Sequence, residues 1–218
     1  MHDTPHTPDP LRFTRQGAPR GYIQPERLSE LWIHTGTACN LSCPFCLEGS
    51  KPGDARIEQV TFDDIRPFLD EACALGVDQF SFTGGEPFVN KDIFALLAYA
   101  LERRPVLVLT NGTRPLRTRF DRILNLLAAP NPLRFRVSLD YPDAARHDAA
   151  RGAGNFAYAV ETLRLLHEAG FGVSVARQSA PDEARDAVDA AYRKCFSRNG
   201  IPEDTHLVPF PDFLPPGA

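Results

Sequence analysis

Three of the five cysteines in this 218-residue chain fall close together, as Cys39-Asn40-Leu41-Ser42-Cys43-Pro44-Phe45-Cys46. Thiolates are the protein ligands of iron–sulfur clusters and of structural zinc. Structural zinc wants a closed set of four ligands, and no fourth Cys or His stands nearby at the usual pairwise spacing. A four-iron cluster held by three cysteines leaves one iron without a protein ligand. An open metal position is a reaction site, by the logic that separates catalytic from structural zinc. A zinc centre and a purely electron-carrying cluster are the alternatives. The other two cysteines, Cys73 and Cys195, stand alone and read as structural, Cys73 on the apolar face of a helix.

Other residues suited to chemistry follow short apolar runs. Gly84-Gly85-Glu86-Pro87 follows the second run, Thr110-Asn111-Gly112 the third, and Ser138 and Asp140 the fourth. Thr110-Asn111-Gly112 reads equally as a simple turn, since Asn-Gly is a common turn pair. Ser138 has a second reading as a hydroxyl satisfied by its own sheet. Asp140 reads either as a substrate-facing acid or as a structural cap. His34 lies inside the first strand and reads as a hydrogen-bonded core residue. Gln178 closes the fifth strand, and its role stays open.

The elements that must position these residues alternate regularly. Strands are expected over 31–35, 79–83, 106–110, 133–139 and 172–176, with a sixth over 206–209. Helices are expected over 62–75, 91–103, 119–128, 155–169 and from Ser179 to about residue 198. Thr61 with Asp64 makes a capping box for the first helix and Gly76 ends it, while Asn90 is read as the cap of the second. Such alternation is the signature of βα units and a parallel sheet. Near-continuous apolar strands such as Val106-Leu107-Val108-Leu109 predict faces covered on both sides. In parallel α/β folds the loops at the carboxyl ends of strands build the site, and the unusual residues above all fall there. An eight-stranded barrel typically needs about 250 residues. The expectation is therefore an α/β fold, a (β/α)6 partial TIM-type barrel. Residues 1–28, rich in Pro and Arg, are read as a mobile tail or strap, 29–210 as the core domain and 211–218 as the start of a truncated or absent extension.

Hydrophobic residues at 43% and charged residues at 24% are ordinary for a globular protein with a core, which excludes disorder along the whole length. The net charge of −4 and the lack of a long basic run argue against a nucleic-acid partner. No stretch reaches the roughly 20 apolar residues of a membrane helix, and the first residues lack the basic and apolar segments of a signal peptide. An odd cysteine count without an export signal does not read as a disulfide framework. The location expected is cytoplasmic.

The Cys-x3-Cys-x2-Cys loop after a first strand, with Gly-Gly-Glu-Pro after a second, resembles the radical S-adenosylmethionine enzyme superfamily over roughly residues 29–210. The resemblance implies a 4Fe-4S cluster on Cys39, Cys43 and Cys46, with S-adenosylmethionine chelated at the open iron. Reductive cleavage of that cofactor then yields a 5′-deoxyadenosyl radical that abstracts hydrogen, an oxidoreductase chemistry served by an electron donor such as flavodoxin or ferredoxin. It further implies that Phe45 packs on the adenine and that Gly84, Gly85, Glu86 and Pro87 bind the methionine ammonium. Glycines let a backbone approach a ligand, and a carboxylate pairs with an ammonium, in agreement with that role. Ser138 matches a ribose contact, with Thr110 and Asn111 lining the cofactor. The segment Ser138-Leu139-Asp140, His147-Asp148 and Arg151-Gly152 is closest to the sulfatase-maturing and peptide-modifying (SPASM-type) branch, where the arginine meets the cofactor carboxylate; that role falls to Arg151. Tyr141 departs from the Gly usual at its position. The implied substrate is a peptide or protein side chain. Small-molecule radical chemistry in cofactor or nucleoside biosynthesis is the alternative, and a non-catalytic iron–sulfur carrier or redox sensor is the reading of another class.

Overall fold

In a computed structural model of the chain, residues 9, 11–21, 26–180 and 182–211 are described. Of the expected extension only residue 211 is described, whereas residues 9, 11–21 and 26–28 of the expected tail are. Within the tail, 11–20 makes an exposed local turn closed by Arg20 N–H donating to the Arg12 carbonyl.

Six strands form one parallel sheet, each lying beside its predecessor: β1 Glu30–His34, β2 Gln79–Thr83, β3 Val106–Thr110, β4 Leu133–Ser138, β5 Gly172–Ser179 and β6 His206–Pro211. Among the described residues the sheet does not close, so the architecture is the partial barrel that the length suggested. The helices between the strands are α1 Phe62–Ala74, α2 Ile93–Leu101, α3 Arg114–Arg117, α4 Phe120–Leu124, α5 Ala144–Arg151, α6 Asn155–Glu168 and α7 Arg185–Arg198.

Strand register explains the core. Ile33, Phe82, Val108, Phe135 and Val173 form one lateral row, and side chains alternate across the sheet. These residues and the neighbours two positions along face the helices, packing with Leu69 and Ala72 of α1, Leu96 and Leu97 of α2 and Leu163 of α6. The opposite, inner face carries Trp32, Ser81, Leu107, Arg134, Arg136 and Ser174. Trp32 is 45% exposed and Arg134 is exposed, so coverage on both faces is corrected: helices cover one face only. Leu107 made β3 look doubly covered; it is buried although it lies on the inner face.

The first helix begins as expected. Asp64 N–H donates to Thr61 Oγ1 while Thr61 N–H donates to Asp64 Oδ2, and Gly76 follows at φ +81°. Three expectations are corrected. Asn90 does not cap α2; a 3₁₀ turn over Pro87–Val89 intervenes, and Asn90 Oδ1 accepts from Asp92 N–H while its amide donates to the carbonyls of Thr35 and Val60. The single helix over 119–128 is broken into α4 and a 3₁₀ turn over Asn125–Ala128. Ser179 does not start α7: β5 runs on through it, and its hydroxyl donates to Glu183. Helix α5 was not foreseen; Asp143 caps it, accepting from Arg146 N–H at 2.9 Å.

Candidate functional site

The cysteine loop is built as an extension of the β1–β2 ladder. Beyond β1, Thr35 N–H donates to the Thr83 carbonyl, Gly85 N–H to that of Gly36, and Glu86 N–H to that of Ala38, at 2.8–3.0 Å. Two chain segments therefore run side by side past the strand ends, too close for side chains between them. A Cβ on Gly85 would lie 2.4 Å from the Ala38 carbonyl oxygen, and one on Gly84 (φ +139°) 2.6 Å from Thr35 Oγ1. The double glycine is thus required by the root of the cysteine loop itself, before any ligand approaches.

From its far side the loop is clamped by polar contacts. Thr37 Oγ1 donates to Asp54 (3.1 Å), Asp54 pairs with Arg56, and Arg56 donates to the Glu48 carbonyl. Those guanidinium bonds hold the Asp54 carboxyl well below the usual range. His34 Nδ1 accepts from Gly36 N–H, so its Nε2 carries the proton given to Glu48 (2.9 Å). His34 is hydrogen-bonded as expected, at the loop and not in the core.

Cys39, Cys43 and Cys46 are free, half-buried thiols on the wall of one cavity of about 290 Å³. Phe45, Gly84, Gly85, Thr110, Asn111, Ser138, Asp140, Arg151 and Gln178 share that wall. The strand-end loops named from the sequence are therefore gathered at one rim. Burial pushes the Cys39 thiol up to about 11, with Glu86 and the other two thiols adding to the shift. Burial also raises Cys43, while Arg151 pulls it the other way. Without metal Cys39 is protonated at neutral pH, and metal binding must release its proton. Among the described residues no three Cys, His, Asp or Glu side chains could hold a single metal ion. A cubane takes each thiolate on a different iron, which calls for sulfurs spaced more widely than the ligands of one ion.

Glu86 and Pro87 lie behind the wall, both buried. One Glu86 oxygen accepts from Thr110 Oγ1 (2.8 Å) and Phe88 N–H (3.2 Å), the other from Asn111 N–H (2.8 Å). Burial raises this carboxyl to about 7 against the pull of those donors. Asn111 in turn donates to Asn40 Oδ1 (3.0 Å), and Asn40 donates to Thr113. The Thr110-Asn111-Gly112 turn, with Gly112 at φ +67°, thereby joins β2, β3 and the cysteine loop while facing the cavity.

Arg151, at the end of α5, is held by both oxygens of Asp140, with Nη2–Oδ1 at 3.1 Å and a closer Nε–Oδ2 contact. Its guanidinium carbon lies 5.5 Å from the Phe45 ring centre, in cation–π range. Burial opposes the charge on Arg151, but Asp140 and the nearby thiols more than offset it. Gln178 accepts from the Tyr141 hydroxyl at 3.0 Å. Of the lone cysteines, Cys195 is buried and Cys73 half-buried against the core.

The sequence reading missed Thr83, Leu109, Ala176, Arg177 and Phe210, which also line the cavity. Each lies at or near a strand's carboxyl end, so strand ends plus register would have found them. It also assigned no task to His147, which is fully buried beside Phe156 with neither ring nitrogen hydrogen-bonded among the described residues.

A family model described as the Radical SAM superfamily matches residues 33–180. Mycofactocin maturase MftC of Mycolicibacterium smegmatis is 35% identical over 135 residues, which are 62% of this chain and 33% of that protein. The AdoMet-dependent heme synthase of Methanosarcina barkeri is 33% identical over 135 residues, 61% of this chain and 37% of that protein. Among solved structures, Streptococcus suis SuiB bound to S-adenosylmethionine superposes with a TM-score of 0.69 at 18% identity, covering 88% of this chain and 42% of SuiB. The chain thus spans about a third of the length of these curated relatives. Among the described residues no helix is long and apolar enough to cross a membrane.

Proposed function

This chain belongs to the Radical SAM superfamily, and from that premise we propose that it is the core of an oxidoreductase that takes hydrogen from a side chain of a peptide or protein. The single observation that carries the reading is the convergence of three free thiols, the Gly84-Gly85 backbone and the Arg151–Asp140 pair on one cavity. The residues present fit the superfamily's 4Fe-4S cluster and S-adenosylmethionine. Three soft sulfur donors stand on a loop braced from both sides, and the half-buried cation Arg151 lies beside them. The chemistry supplied there by the bound pair is one-electron cleavage of the sulfonium, giving a 5′-deoxyadenosyl radical that abstracts hydrogen.

In this reading Cys39, Cys43 and Cys46 are the cluster ligands. Phe45 offers its ring to the adenine. Gly84 and Gly85 present backbone at the cavity surface, while the Glu86 carboxylate behind them supplies the negative charge that favours an ammonium. Thr110 and Asn111 fix that carboxylate, and Ser138 faces the ribose. Arg151 offsets the charge of thiolates and of the cofactor carboxylate, and Asp140 keeps its guanidinium in place. The catalytic unit spans 29–210, the electron donor is a flavodoxin or ferredoxin, and the setting is cytoplasmic. SuiB, crystallised bound to the precursor peptide SuiA, and the PqqA peptide cyclase of Granulibacter bethesdensis, 34% identical over 133 residues, support a peptide substrate. The heme synthase relative favours a second reading, a small-molecule substrate at the same cavity.

The test is anaerobic reconstitution with iron and sulfide, then dithionite and S-adenosylmethionine. 5′-Deoxyadenosine accumulates with the wild type and falls to background with Cys43→Ala. A fully clustered wild type that forms none would sink the enzyme reading in favour of an electron carrier.

A further inference from the structure

Below the cavity rim, the polar side chains of the sheet's inner face are paired with one another. Glu30 accepts from Gln79 Nε2 (2.6 Å) and from the Ser81 hydroxyl, and Gln79 Oε1 accepts from Arg134. Arg136 is the exception. It is half-buried on β4, and its hydrogen bond is a long one, Nε to Ser174 Oγ at 3.4 Å. Elsewhere the half-buried Arg151 is compensated at short range by Asp140, and the buried Arg177 by Glu183. Around Arg136, burial lowers the pKa and Glu30 only partly counters it from a distance. A cation taken partly out of water without a carboxylate partner is costly. Its position is also telling. Leu109 is its register partner on β3, Ser138 lies two residues further along β4, and both line the cavity. Two residues along a strand advance about 7 Å, a distance an arginine side chain spans.

We propose that Arg136 is a specificity-determining residue that binds a carboxylate of the substrate on the inner face, while the carbon losing hydrogen lies at the rim. A guanidinium fork matches a planar carboxylate bidentately. The carboxylate belongs to an acidic side chain, to a peptide C-terminus or to a small organic acid. The proposal rests on the reading above that substrate enters this cavity.

Two measurements test it. In the intact protein labelled with 15N-arginine, the Arg136 Nε–H resonance, assigned with Arg136→Lys, is followed while glutarate or its diamide is added. Glutarate shifts it saturably and the diamide does not; no shift, or equal shifts, overturns the proposal without involving radical chemistry. In the reconstituted enzyme, peptide pairs differing only as acid and amide, at a side chain or at the C-terminus, are compared by stimulated 5′-deoxyadenosine formation. The acid exceeds the amide at least tenfold in kcat/KM, a ratio that collapses in Arg136→Gln and partly survives in Arg136→Lys. Equal turnover of acid and amide by the wild type overturns the inference. Wild type that cleaves S-adenosylmethionine yet answers to no peptide overturns the peptide reading, and the glutarate titration then decides Arg136 by itself.

Discussion

Glu86 and His147 are two buried ionisable side chains near the cavity whose effects on stability oppose each other. Glu86 titrates at about 7 instead of near 4.5, because burial disfavours its charge. The protonated form therefore favours the fold, and stability rises as pH falls from 7 to 4.5, by about 3 kcal/mol. His147 is dropped from 6.5 to about 4 by burial, with Arg151 adding to it. Its neutral form favours the fold, so stability is lost as pH falls from 6.5 to 4, again by about 3 kcal/mol. The two slopes nearly cancel in the wild type. Urea midpoints of cluster-free protein at pH 7.5, 6 and 5 check this. Glu86→Gln loses stability on acidification, whereas His147→Phe, which keeps an aromatic ring against Phe156, gains it. A Glu86→Gln profile as flat as the wild type would show that Glu86 titrates normally. The chemistry of Glu86 was legible in its motif; its seclusion behind Gly85 was not, because the donors that hold it come from a different strand end.

The strands were legible to within a residue or two for most of the sheet, since apolar runs of five or six bounded by Gly, Pro or Asn leave few alternatives. Helix starts were less so. Asn90 and Ser179 carry the right side chains for caps, but each spends them on tertiary partners, Asn90 on the carbonyls of Thr35 and Val60 and Ser179 on Glu183. The cysteine loop and the double glycine form one element in two pieces, and that coupling gives a test. Gly85→Ala places a methyl group 2.4 Å from the Ala38 carbonyl, which backbone movement alone can relieve. Iron bound after reconstitution is expected to fall below half the wild-type amount while far-UV circular dichroism stays unchanged. Full iron loading by Gly85→Ala would show that the loop root yields without disturbing the thiols.

Across the whole molecule the net charge is −4, yet the open inner face carries Arg134 and Arg136, with Glu30 engaged by Gln79 and Ser81. Its two arginines against one carboxylate give that face a side-chain charge opposite in sign to the chain's. Trp32, the single tryptophan, stands on that face at the edge of the sheet and reports on it. Screening acts over roughly 10 Å at 0.1 M salt, so at low ionic strength iodide is expected to quench Trp32 fluorescence more strongly than caesium. Arg136→Gln narrows the gap. Caesium quenching as strong as iodide in the wild type would place the inner face under the net negative field instead.

The amino-acid sequence by itself determined the chemistry and its order along the chain: three thiols in a short loop, a glycine pair with a carboxylate, and strand ends that deliver them to one rim. Those are local facts, fixed by residue type, spacing and the period of apolar residues. Tertiary structure alone decided which partners each group meets. It paired Arg151 with Asp140, turned Glu86 behind the wall, left the His147 ring nitrogens without a hydrogen bond among the described residues and set Arg136 on an uncovered face. Such outcomes depend on register between strands far apart in sequence and on which sheet face the helices cover, and no local pattern encodes either.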